Sequence, residues 1–185
     1  MPGWARALIA LGAAMLLLTV IGIVAAVAIP VFLNQRGKAA AAGTTVQMPG
    51  RAVGLVRLTD ATSLRYEQQL LQVPTPGPHL AAVYGTATGQ RRALVLAGKA
   101  TMSRQDQAAF LAGEERGVAN TVPLRFHDVA PGKLGGSMRC GEAPERQLTI
   151  CLFIDAGAYG TIDLLGSPRD TRTAVALREQ VEHRR

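Results

Sequence analysis

Two cysteines and a handful of dispersed polar residues carry whatever chemistry this chain can perform. Cys140 and Cys151 are its only cysteines, with ten residues between them and "EAPERQ" at the centre. An even number of intervening residues around a central turn can place both side chains opposite one another on one face of an antiparallel hairpin. That is disulfide geometry, and disulfides persist outside the cytoplasm. Closing so short a loop stabilises a fold by roughly 3 kcal/mol or somewhat less on the chain-entropy estimate. Two buried free thiols are the plainer alternative. Zinc fits poorly, because there is no CxxC half-site and His127 is the only histidine nearby in sequence.

The remaining candidates are weaker. Ser137 lies in "GGSMRCG", but a nucleophile elbow needs glycine where Arg139 stands. Neither a P-loop nor a dinucleotide glycine fingerprint is present. His79, His127 and His183 fall in an expected loop, strand and frayed terminus, and read as surface residues. Asp155 and Asp163 flank "AGAYGTI", one as a turn cap and the other as a solvated side chain. A metal site would want more oxygen ligands at closer spacing. No catalytic, cofactor-binding or metal-binding residue is therefore expected. A hydrolase would have to gather Ser137, His127 and an aspartate into one pocket, whereas a binder would present a flat apolar groove.

These residues follow an apolar segment. Ala7 to Leu33 is apolar at nearly every position, with Thr19 the clear exception. At about 1.5 Å per residue it makes about 40 Å of helix, more than the roughly 30 Å hydrocarbon core requires. It reads as an uncleaved transmembrane helix at 7–33, after a short cytoplasmic tail at 1–6 and ahead of a flexible linker at 34–51. A cleaved signal would have a shorter apolar region, although small-residue sites exist at Ala26–Ala28 and within Ala39–Ala42. The run "IGIVAAVAIP" followed by "VFLNQR" resembles the latter half of the type IV pilin N-terminal helix. By the family spacing, Ala13 stands where a pilin has its glutamate and Leu8 where it has the processing glycine. The resemblance implies a filament subunit only if those signatures were present.

Flanking charge is divided. Arg6 precedes the apolar run and Arg36, Lys38 and Arg51 follow it, which by the positive-inside rule favours a cytoplasmic C-terminus. The cysteine pair outweighs this, since short N-terminal tails usually stay inside. The expected location is the plasma membrane, single-pass, with residues 52–185 on the extracytoplasmic side.

That domain reads as α+β. "AVGLVRL" (52–58) predicts a strand, and Asp60 caps a helix through Leu71. "HLAAVYG" and "RRALVLAG" predict a hairpin, and Ser103 with Asp106 predicts a capped helix containing Phe110 and Leu111. "TVPLRFHDV", the cysteine hairpin and "AYGTIDLLG" complete the strands. A closing helix follows, with Ser167 as N-cap, Pro168 at N1 and Asp170 at N3. Ala174, Leu177 and Val181 form its inward stripe, and Arg178 and Glu182 an outward pair. Hairpins dominate over crossovers, so the expected architecture is an antiparallel sheet with helices on one face. "VYGTATGQRRALVLAG" and "RCGEAPERQLTICLFI" align without gaps, each followed by a Ser-x-x-Asp, which predicts a duplicated ββα unit.

A formal net charge of +7 and a pI near 10.2 invite a nucleic-acid reading, but aromatics are only 4% and the basic residues are dispersed. Nucleic acid is therefore not an expected partner. Anionic lipid, anionic wall polymer or an envelope protein is. From about Leu80 to Val181, with "LGGSMRCGE" and "CLFIDAGAYGTIDLLG", the chain resembles small membrane-anchored proteins of actinobacteria. The resemblance implies a single-pass anchor and an extracytoplasmic domain, and it carries over no functional residues. The expected role is a non-enzymatic binding or interaction module of the cell envelope. On intact cells an impermeant maleimide should label the protein only after reduction. Two thiols that stay unreactive until lysis would place the domain in the cytoplasm.

Overall fold

The computed structural model describes residues 43–86, 88 and 92–184. The expected membrane span, 7–33, lies outside them, and no described helix is long and apolar enough to cross a membrane.

The strands are β1 (Thr44–Val46), β2 (Arg51–Ala52), β3 (Leu55–Arg57), β4 (His79–Gly85) and β5 (Arg92–Lys99). They continue with β6 (Phe126–Val129), β7 (Ser137–Ala143), β8 (Leu148–Ile154), β9 (Ala158–Leu165) and β10 (Glu182–Arg184). The helices are α1 (Ala61–Leu70), α2 (Arg104–Ala119) and α3 (Thr171–Val181). Among the described residues one antiparallel sheet has eight strands in the order β2-β3-β4-β5-β9-β8-β7-β6, and β1 pairs with β10 as a separate ribbon.

Alternation along the strands divides the core between the two faces of the sheet. Val95, Cys140, Cys151, Phe153, Ile162 and Leu164 point to one face, where Ala174, Leu177 and Val181 of α3 cover them. Leu96, Ile150, Leu152, Ile154 and Tyr159 point to the other, under Phe110, Leu111 and Val118 of α2. The expected single helical layer is thus corrected: α2 and α3 take opposite faces, because β8 carries large apolar residues at both parities and needs cover on both. α1 does something different. It lies beside β4 where β3 ends, and its buried Glu67 accepts the Val83 N–H at 3.2 Å while binding the Arg57 guanidinium at 2.9 Å. That plugs an edge position the β3 backbone leaves unpaired.

The two hairpins expected as a repeat have the same facing, Tyr84 matching Cys140, but not the same register. Gly85 opposes Arg92, whereas the aligned Gly141 opposes Ile150 rather than Leu148. The second turn is tighter, a 3-10 turn over Pro144–Arg146 closed by Gln147 at φ 52°. With the following helices on opposite faces, the repeat does not extend beyond the hairpins.

Other local readings are refined. Asp60 caps α1 through the N–H groups of Thr62 and Ser63, and Ser103 caps α2 through that of Asp106, as the motifs predict. The strand expected over 52–58 is instead a β2–β3 hairpin turning at Val53 and Gly54, both at positive φ. Asp170, not Ser167, is the N-cap of α3. The Ser167 carbonyl instead accepts from Thr149 Oγ1 at 3.2 Å. The expected linker contains β1, whose Thr44 is buried and whose partner β10 replaces the expected helix end at Glu182 and the frayed terminus at His183. Leu177 is fully buried under the sheet. Its truncation to alanine should cost about 2–5 kcal/mol, read as a lower urea midpoint with an unchanged slope.

Candidate binding cleft

The disulfide forms as the spacing predicts. Cys140 and Cys151 are directly opposite in the β7–β8 register, Cα to Cα 4.1 Å, and both are buried. Their placement decides where the other candidates go. His127 opposes Cys140, so it shares that face of the sheet, while Asp128 opposes Arg139 and shares the other face with Ser137. The sheet therefore separates His127 from Ser137.

On the α2 face a cleft of about 740 Å³ opens between the helix and the start of β7. Arg104, Gln107, Ala108, Leu111 and Ala112 form its helical wall, and Asp128, Gly136, Ser137 and Arg139 the opposite one. Arg139 is held from two sides. Its Nη1 donates to Glu115 Oε1 of α2, and its Nε lies 3.1 Å from Asp128 Oδ1. One guanidinium thus joins helix to sheet and fixes the cleft's width. Gln107 is fixed by its Nε2, which donates to the Met102 carbonyl at 3.1 Å. Apolar Ala108, Leu111 and Ala112 lie between polar ends. Such a surface can hydrogen-bond a polar ligand and pack against its apolar parts, and it has no assembled nucleophile and base.

The loop leading into the cleft is set by glycine. Gly136 has φ +80°, and a Cβ there would meet the Ile154 carbonyl at 2.4 Å. Its approach brings the cleft wall against Asp155, and there the structure holds a group of charges that the sequence reading missed. Arg178 is fully buried. Its Nη2 donates to Asp155 Oδ2 at 2.7 Å, its Nε to Glu182 Oε2 at 3.0 Å, and its Nη1 to the Pro131 carbonyl at 3.3 Å. Arg184 adds Nη2 to Asp155 Oδ2 at 2.7 Å and Nε to Glu182 Oε1 at 3.3 Å. Arg178 also stacks 4.9 Å from the Phe153 ring centroid. The expected outward Arg178–Glu182 pair is therefore inward: the i,i+4 spacing was right, and the buried Asp155 turns it toward the core.

Asp155 does cap its turn, with Oδ1 accepting from Gly157 and Ala158 at 2.7 and 2.9 Å. Asp163, expected to be solvated, is partly buried between Leu94 and Ile150. His183, expected in a frayed end, is in β10 with its ring nitrogen 2.6 Å from Gln47 Nε2. His79 opens β4 and its Nδ1 is 2.7 Å from Thr75 Oγ1. Among the described residues no group of three His, Cys, Asp or Glu side chains could hold a metal ion. Comparison with protein-family models, with curated proteins and with solved structures finds no match to this chain.

Burial pushes Glu182 up to about 7, and its shared hydrogen bond with Asp155 adds to the rise. Asp155 is held below the usual carboxylate range by that same hydrogen bond and by two backbone N–H groups, against the cost of its burial. Burial alone raises Asp163 to about 7. A carboxyl raised in the fold binds more protons folded than unfolded, so its contribution is present at low pH and lost as pH rises through about 7. Asp155 acts oppositely, at the acid end. The melting temperature should therefore fall between about pH 5 and about pH 8, and Glu182→Gln should flatten the slope. Arg178→Met removes the fully buried one of the two cations that Asp155 and Glu182 share and should cost about 3 kcal/mol in denaturant melts, Arg184 keeping the loss at the low end for a broken buried pair.

Proposed function

We propose that the chain is a membrane-anchored, extracytoplasmic binding module of the cell envelope, and that the cleft between α2 and β7 is its ligand surface. The observation that carries this reading is the cleft itself, with Arg104, Gln107, Asp128 and Ser137 exposing polar groups around an apolar strip. The apolar run at 7–33 serves as the single-pass anchor. The buried Cys140–Cys151 disulfide supports an oxidising compartment for the domain. Arg104 has no ion-pair partner among the described residues, so it is available to an anionic group. Asp128 spends Oδ1 on Arg139, and its largely exposed carboxylate can also accept from a ligand donor. A wall polymer with anionic and hydroxyl or amide groups presents both. Binding is the reading favoured over hydrolysis, since Ser137 and Asp128 share the cleft and His127 lies on the sheet's other face.

The test is cosedimentation of the full chain, in mild detergent, with isolated cell-wall polymer. Arg104→Ala should reduce the bound fraction and leave the melt unchanged, Asp128→Ala should reduce it both by losing a ligand contact and by releasing Arg139, and His127→Ala should leave binding intact. Equal binding by all three variants would remove the cleft from this role.

A further inference from the structure

On the face covered by α2, one end of the sheet has exposed apolar residues that no described helix covers. Four consecutive pairings place Val56, Gly85, Arg92, Leu165 and Leu148 in a single row across β3, β4, β5, β9 and β8. Directly paired residues share a face, so this row is one surface strip about 19 Å long, from four strand spacings of about 4.8 Å. Val56 and Leu165 are 40% and 41% exposed, unusual for large apolar residues on a sheet face otherwise packed under a helix. Behind Leu165, in the next row, Asp163 stands between Leu94 and Ile150.

The strip and the row behind it carry two ionisable side chains without partners among the described residues. Arg92 has its Nε buried and without a hydrogen-bond partner. The Asp163 carboxyl makes no hydrogen bond or ion pair among the described residues, and burial is the sole cause of its raised proton affinity. The two residues share a face on neighbouring strands, diagonally placed, with no ion pair between them. A donor and an acceptor on one apolar patch, each unpaired, make that patch complementary to itself.

We propose that the chain self-associates through this strip as a two-fold dimer, Arg92 of one copy pairing with Asp163 of the other and reciprocally. In an isologous contact residue i meets j and j meets i, so one Arg–Asp complement yields two ion pairs. Val56, Leu165 and Leu148 of the two copies then pack across the axis and exclude water from both pairs. A guanidinium matches a carboxylate with parallel N–H donors, and a dry surround strengthens the pair.

Two differently tagged full-length copies expressed together and purified in mild detergent decide it. Wild-type copies should copurify. Arg92→Glu should abolish copurification with itself, as should Asp163→Arg, because each opposes like charges twice. An Arg92→Glu copy mixed with an Asp163→Arg copy should recover it, since both contacts become opposite charges again. Leu165→Glu, at an exposed position, should abolish it without lowering the melt and is the independent arm should Asp163→Arg unfold. Failure of wild-type copies to copurify would overturn the proposal. So would copurification that survives the single substitutions, as association through the apolar N-terminal run would, or a mixed pair that is no better than either variant alone.

Discussion

One guanidinium holds three separate pieces of chain together. Arg178, on α3, bonds the Asp155 turn after β8, Glu182 at the start of β10 and the Pro131 carbonyl of the loop before β7. Without it Asp155 and Glu182 would keep only the partly exposed Arg184 as a cation, and removing a buried charge partner is among the larger single costs a fold can carry. The arginine is balanced by two carboxylates, and Arg184 returns from β10 to the same pair. Stacking on Phe153 completes its enclosure. α3 is thereby fixed in position as well as in burial, something that apolar contacts from Ala174, Leu177 and Val181 do not specify by themselves.

The same cluster bears on the cleft. Pro131 begins the glycine-rich segment whose far end, Gly136 and Ser137, lines it. Between them Glu179, one residue along α3 from Arg178, accepts the Lys133 N–H at 2.8 Å. α3 therefore braces from one face of the sheet a loop whose far end lines the cleft on the other. On the helical side the brace is Arg139, joined to Glu115 and Asp128. Both walls are set by arginines bonded to acids distant in sequence, so the shape of the cleft depends on electrostatic contacts more than on its own few apolar residues.

How legible this was in the sequence follows from the range of each interaction. The caps at Asp60 and Ser103 act over three residues, and the disulfide register over one hairpin, so spacing alone located them. The inward stripe of α3 was equally local. What failed was non-local. β1 and β10 are three residues each and pair across most of the chain, and neither has an apolar alternation to announce it. The Arg178–Glu182 pair has the signature of a solvated helix pair, and only Asp155, 23 residues away, turns it inward. The assignment of α2 and α3 to opposite faces could have been suspected from β8: "LTICLFI" is apolar at both parities and would leave one face bare under a single helical layer. The cleft had no motif, because its residues come from α2, β6, β7 and a loop with no fixed spacing between them.

The β1–β10 ribbon has a mechanical consequence. Thr44 opposes Arg184 and Val46 opposes Glu182, with the Gln47 N–H continuing to the Val181 carbonyl at 2.9 Å. A pull on the residues ahead of Thr44 therefore loads this short ribbon before it reaches any strand of the eight-stranded sheet. From the ribbon the load passes through Glu182 and Arg184 into Asp155 and Arg178, and from there to α3. Peeling β1 away would unseat Val46 and Met48 from the core while leaving the disulfide-linked β7–β8 hairpin untouched. The fold thus has a weak outer clasp and a covalently reinforced interior, so tension would open it in stages, terminal ribbon first.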